Sequence, residues 1–180
     1  MWYTINALKR YTDKYSSKIK SFIIFTGLTN RLIMEKKLTT AIDAFYNGNN
    51  CAQSVVKAYV EKLKFDEELA LEMALGFGGG MGKMQKACGA VTGAYMVIGI
   101  YNSKVIVDKV QRKEETPHMI QAFKKAFCQR HQTDQCVHLL GCDIRTEAGQ
   151  QIFKENHLKD KVCSKCIESS IMILDDLFKR

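Results

Sequence analysis

The chain has 180 residues, 46% hydrophobic and 26% charged, which is enough apolar material for one buried core and about one domain. Its net charge of +8 points toward nucleic acid only until it is divided. Residues 1–33 hold six Lys/Arg and one Asp, whereas residues 34–180 hold 21 basic and 18 acidic residues, without a stripe of basic and aromatic side chains to follow phosphates. A nucleic-acid partner is therefore not expected. No run approaches the roughly 18–20 apolar residues of a membrane span, so membrane insertion is not expected, and "FIIFTGL" (Phe22–Leu28) is too short, behind too long a basic lead, for a secretory signal. The expectation is a cytoplasmic protein. Its folded domain is expected over 34–180, after a basic extension, 1–33, that is poorly ordered, a peripheral helix or a misassigned start.

Hydrophobic spacing predicts helices almost throughout. Leu38, Ala41, Ile42, Ala44 and Phe45 recur at three- and four-residue intervals and predict an amphipathic helix over Glu35–Tyr46. "NGNN" (Asn47–Asn50) is a turn, with Gly48 suited to ending that helix and Asn50 to capping the next, which is predicted from Cys51 to Leu63. Asp66 caps a further helix with carboxylates in its first turn. After a glycine-rich loop, Ala87–Ile100 reads as a helix buried on most sides. A long helix follows from about Val105 to Arg130, with Val107, Val110, Ile120, Phe123 and Phe127 on its packed side and a bend or break near Thr116–Pro117, at the chain's only proline. "CVHLLGCD" (Cys136–Asp143) is a short helical turn closed at Gly141. Another short helix begins at Thr146, and Val162–Phe178 completes the chain. The fold class is all-α, a single-domain bundle of about six to eight helices.

The most unusual stretch is "GFGGGMGKMQKACGAVTGA" (Gly76–Ala94), which gathers seven of the twelve glycines around one thiol, Cys88. It is not a Walker loop, since Phe77 and Met84 stand where a glycine and a hydroxyl are needed. Nor is it a dinucleotide fingerprint, because Met81 and Lys83 interrupt both registers. What remains is the sulfur. A cysteine at a helix start meets the positive end of the macrodipole and unpaired amides, which favour thiolate. Glycine amides ahead of it suit a nest around sulfur. The alternative is a close helix crossing over small residues, with Cys88 as filler.

Seven cysteines, Cys51, Cys88, Cys128, Cys136, Cys142, Cys163 and Cys166, are an odd number in a chain expected to be cytoplasmic. Metal ligands, redox thiols or buried fillers fit that setting better than structural disulfides. His131 and His138 flank Cys136 and would join a zinc site only without the usual paired knuckles. The C-x-x-C of Cys163 and Cys166 lacks the βαβ setting of a thioredoxin-like site.

Taken together, "GNNCAQSV" (Gly48–Val55), "GFGGGMGKM" with "CGAVTGA", "CVHLLGCD" and "VCSKC" (Val162–Cys166) resemble the C_GCAxxG_C_C family of redox-active proteins. The similarity runs from about Met34 onward; the central element reads C-G-A-V-T-G here, against G-C-A-x-x-G in the family label. The resemblance implies a small helical protein, and a similar module accompanies an iron–sulfur centre in split-Soret-type cytochromes. It also implies four characteristic cysteines at Cys51, Cys88, Cys136 and Cys163. Cys142 is an alternative for the third, and Cys166 and Cys128 are additions to the pattern.

The expected function is electron transfer or redox sensing by clustered thiolates, with another redox protein as partner. Cys51, Cys88, Cys136 and Cys163 are the expected ligands of an iron–sulfur cluster, with zinc as the alternative metal and Cys142 and Cys166 as secondary ligands. Gly78, Gly79, Gly80, Gly82 and Gly89 are expected to line the cofactor, where their amides would raise a cluster's potential. The competing readings are a thiol–disulfide oxidoreductase with Cys88 as reactive thiolate, and a structural zinc or helical interaction module.

Overall fold

The computed structural model describes residue 29 and residues 31–179. The expected extension, 1–33, lies almost wholly outside these residues. Two compact units divide the chain, 1–36 and 37–180. In the first, residues 31–36 are helical and Arg31 pairs with Glu35 at 3.0 Å.

The second unit is all-α. Helix α1 covers 37–46 and ends at Gly48, whose φ of +105° suits glycine alone. Asn50 caps α2 (Cys51–Lys57): its side chain accepts from the amides of Ala52 and Gln53, and Gln53 reaches back to the Asn50 amide, a complete capping box. The helix expected to run on to Leu63 breaks instead at Ala58–Tyr59 and resumes as α3 (Val60–Leu63). The break leaves Tyr59 fully buried, its hydroxyl 3.2 Å from the Ile171 carbonyl and from Asp175. Helix α4 (Glu67–Leu75) starts from its Asp66 cap.

Helix α5 (Gly89–Val105) is the hub of the unit, packed by α2, by α6 (Lys109–His131) and by α9 (Ser164–Leu177). Small residues allow the approach of α2: a Cβ on Gly93 would stand 2.6 Å from the Ala52 carbonyl oxygen. Two features of α6 depart from expectation. It runs unbroken through Pro117, and beside the proline the Thr116 hydroxyl donates to the Arg112 carbonyl at 2.7 Å and accepts from the Asn102 side-chain amide at 3.0 Å. Val107 and Val110 face outward, 90% and 67% exposed, so only Phe123 and Phe127 of the packed side are fully buried.

Helix α7 (Cys136–Leu140) ends on Gly141 at φ +65°, and α8 (Glu147–Glu155) begins on its Thr146 cap. Before α9 the chain makes a π-helical turn, Lys159–Cys163, closed by the Ser164 amide on the Lys159 carbonyl. Such turns reset the side-chain register of a helix and recur at functional sites. This one is held to α1 by the Lys159 ammonium over the Phe45 and Tyr46 rings and by Tyr46 donating to Asp160 at 2.6 Å. Among the described residues the only extended pairing is an isolated antiparallel bridge, Ala87 to Gln135.

Candidate functional site

The glycine-rich loop joins α4 to α5 and turns through five consecutive residues with positive φ, Gly79, Gly80, Met81, Gly82 and Lys83, at 61–69°. Two of these carry side chains in a conformation that costs an L-residue about 1–2 kcal/mol. Gln85 makes a third departure at φ +56°. The coil is stabilised by its own carbonyls, since those of Gly78, Gly79 and Gly80 accept from the amides of Lys83, Gln85 and Lys86.

That coil is fastened to the segment before α7. The Cys88 amide donates to the Asp134 carbonyl at 2.8 Å, and the amides of Cys136 and Val137 donate to Lys86 and Gln85 at 2.7 and 3.2 Å. Gln85, only 2% exposed, clamps the next turn with both ends of its amide. It donates to the Cys142 carbonyl at 2.8 Å and accepts from the Ile144 amide at 3.0 Å. Sequence reasoning missed this residue, because a polar side chain in a loop carries no sign of burial.

The fastening gathers sulfur. One cavity of about 240 Å³ is lined by Cys51, Cys88, Cys136, Cys163 and Cys166. Cys51 opens α2, Cys88 precedes α5, Cys136 opens α7, Cys163 ends the π turn and Cys166 lies in the first turn of α9. The walls between them are apolar, including Phe45, Leu140, Ile144, Phe153 and Val162, with Lys159 as the one lysine. Gly79, Gly80 and Gly89 line the same cavity, while Gly78 and Gly82 stand back in the loop. A Cβ on Gly80 would lie 2.7 Å from the Cys136 Cβ, and one on Gly89 would lie 3.1 Å from the Cys51 Cβ. Bare backbone is what lets the thiols crowd.

Burial sets the acidity of these thiols, and their contacts divide them. The Cys51 thiol is pushed well up by contact with Cys163, then by burial and the neighbouring cysteines. Cys136 is pushed up to about 12, mainly by burial and then by Cys88 and Cys163. Cys166 is pushed up by contact with Cys88 and by burial. Cys88 goes the other way: contact with Cys166 outweighs burial, and the Ala90 and Val91 amides at the start of α5 also favour its thiolate.

The remaining sequence candidates lie elsewhere. Cys142 is buried against Cys136 and Leu140 but is not among the cavity's lining residues. Cys128 sits half-buried on α6. His131 stacks on Phe127 with ring centroids 4.6 Å apart and bonds Ser169 at 2.8 Å, and His138 does not reach the cavity wall. Among the described residues no group of three or more His, Cys, Asp or Glu is placed to hold a single metal ion, and no helix is long and apolar enough to cross a membrane.

Fold and site together define a class: a small helical protein whose helix starts deliver cysteines to one apolar cavity. A family model for C_GCAxxG_C_C, described as "Putative redox-active protein", matches residues 49–177, and the chain belongs to that family. No curated protein and no solved structure matches it.

Proposed function

We propose that this redox-active protein transfers or senses electrons by holding an iron–sulfur cluster on Cys51, Cys88, Cys136 and Cys163. The observation that carries the reading is the convergence of these four side chains, from four separate elements, on one apolar cavity. The donor chemistry fits, since thiolates are the usual ligands of such clusters. The placement fits as well, because the sulfurs surround a space rather than a point. A bound cluster would supply one-electron chemistry at a potential set by its surroundings.

The chain's own part is orientation, exclusion of water and release of protons. Ligation needs deprotonated sulfur; contact with Cys163 and then burial favour the protonated form of Cys51, and burial that of Cys136, so loading of the site releases protons and weakens as pH falls. Gly79, Gly80 and Gly89 bring bare main chain to the wall, and the apolar side chains keep the local dielectric low. The partner this reading requires is another redox protein, in the cytoplasm.

Anaerobic purification of the full chain, with iron, zinc and acid-labile sulfide counted per molecule, tests the reading. Iron and sulfide in equal amounts with broad visible absorbance support it, and zinc alone would move the assignment to a structural metal. A colourless, metal-free protein that has never met oxygen would sink it. A second reading, a thiol–disulfide oxidoreductase with Cys88 as the reactive thiolate, is favoured by one specific observation: Cys88 at the start of α5 is buried in the same core and on the same cavity wall as a second thiol, Cys166.

A further inference from the structure

Cys166 is the one sulfur on the cavity wall that the four-cysteine set does not use. It is 1% exposed and Cys88 is 5% exposed. Sequence spacing would pair Cys166 with Cys163, since they form a C-x-x-C and fall three apart, on one side of a helix. The structure distributes the contacts differently. The π turn that ends at Cys163 shifts register just before α9; Cys51 and Cys163 lie half-buried at the edge of the cavity, whereas Cys88 and Cys166 are the two cysteines buried in the main core, where they meet.

We propose that Cys88 and Cys166 are a dithiol–disulfide couple, with Cys88 as the attacking sulfur and Cys166 as the resolving one, and that its substrate is a small disulfide able to enter the apolar cavity. The proposal rests on the second reading above and names its pair. It belongs to the protein free of any cluster, because Cys88 cannot ligate iron and sit in a disulfide at once.

The chemistry balances. Cys88 sulfur attacks one sulfur of the substrate, the substrate S–S bond breaks, and a mixed disulfide on Cys88 forms as one thiolate leaves and takes a proton. Cys166 sulfur then attacks the Cys88 sulfur, the mixed disulfide breaks, and the second thiolate leaves with the Cys166 proton. Two protein thiols give up two protons and two electrons, and the substrate disulfide becomes two thiols. Cys88 takes the first step because it stands at the amide end of a 17-residue helix, whereas Cys166 lies inside α9, which continues directly from the π turn.

The test treats the full-length protein with bis(2-hydroxyethyl) disulfide under anaerobic conditions. Iron, free thiols and cross-linked peptides are measured on the same samples. The expected result is loss of two thiols from iron-free molecules, with one intramolecular link between Cys88 and Cys166. In Cys166→Ala the expected product is instead a stable mixed disulfide on Cys88, released by reductant. A link confined to Cys51–Cys163 or Cys163–Cys166 would overturn the pairing while leaving dithiol chemistry standing. Loss of no thiols would overturn both. The wild-type cross-link is decisive even if Cys166→Ala folds poorly.

Discussion

Two buried polar places in this protein are built on opposite terms. At one, Lys37 and Asp175, 5% and 6% exposed, make a close ion pair between α1 and α9, and Asp175 also meets the Tyr59 hydroxyl at 3.2 Å. Burial and Asp175 push the Tyr59 phenol well up, so it remains a donor. At the other, five thiols share one cavity whose single lysine is turned onto the Phe45 and Tyr46 rings. The first place sets its buried ammonium directly against a buried carboxylate. The second is lined by thiols, apolar side chains and bare glycine backbone instead of a charge pair.

The comparison breaks first at the ion pair. Asp175→Ala leaves a buried ammonium uncompensated and is expected to cost about 3–5 kcal/mol, read from denaturant unfolding, while Lys37→Met with Asp175→Leu should recover most of that loss. A loss below about 1 kcal/mol in the single variant would mean that water reaches Lys37 and that the two sites are less different than their burial suggests. Thiol count and reactivity are expected to survive in the double variant, since neither residue lines the cavity.

Backbone crowding at the thiol cavity comes next. Gly80→Ala would put a Cβ 2.7 Å from that of Cys136, at a φ of +69°, and is expected to cost about 2–3 kcal/mol. It should also change how Cys136 reacts with an alkylating reagent. Gly93→Ala would meet the Ala52 carbonyl oxygen at 2.6 Å and should cost about as much, but by prising α2 from α5, so that Cys51 is the thiol disturbed. Equal changes at both cysteines in both variants would show that the cavity deforms as one body.

The fold and the thiol site were legible in the sequence to different depths. Caps at Asn50, Asp66 and Thr146 and the stop at Gly141 are local chemistry, and each is where its side chain or its missing Cβ demands. The glycine cluster around Cys88 was visible as an anomaly, with its cause hidden. Met81 and Lys83 adopt positive φ inside a coil bonded to its own carbonyls at Phe77 and Gly78, while Gln85 is also held by the Val137 amide, and no propensity reports a constraint imposed from 50 residues away. Continuity through Pro117 was equally hidden, since a proline inside a helical pattern ordinarily marks an end or a kink. The resemblance named four cysteines, but one-dimensional spacing carries no information on which thiol touches which. The π turn rearranges the two that look paired.

Acidity offers a gentler probe. Cys136 is held at about 12 in the folded protein, above its value of about 8.5 in an unfolded chain. The folded state therefore keeps a proton that the unfolded state gives up. The stability tied to that proton is fully present below about pH 8.5 and is lost as pH rises toward about 12. Cys136→Ala should flatten the alkaline limb of a stability–pH profile over that window. At pH 8, alkylation should find Cys88 well before Cys136, since contact and amides lower the one while burial raises the other.

The smallest expected effect separates anchor from ornament in the turn after α7. Arg145 holds Asp143 down to about 2 through a side-chain ion pair of 2.7 Å and its own backbone amide. The depressed value means that any stability from Asp143 is present above about pH 4 and is lost as pH falls toward about 2. Asp143 is exposed enough for water to weaken the pair, so Asp143→Asn should change neutral-pH stability little and flatten only the acid limb. Gln85→Ala acts on the same turn from inside, removing the bonds to Cys142 and Ile144 at 2.8 and 3.0 Å, and should cost about 1–3 kcal/mol. It should also speed alkylation of Cys142 and Cys136, which Asp143→Asn should leave alone. If both variants loosen the thiols equally, the surface ion pair helps to shape the cavity; if only Gln85→Ala does, the buried amide alone ties the cysteine-bearing turn to the glycine loop.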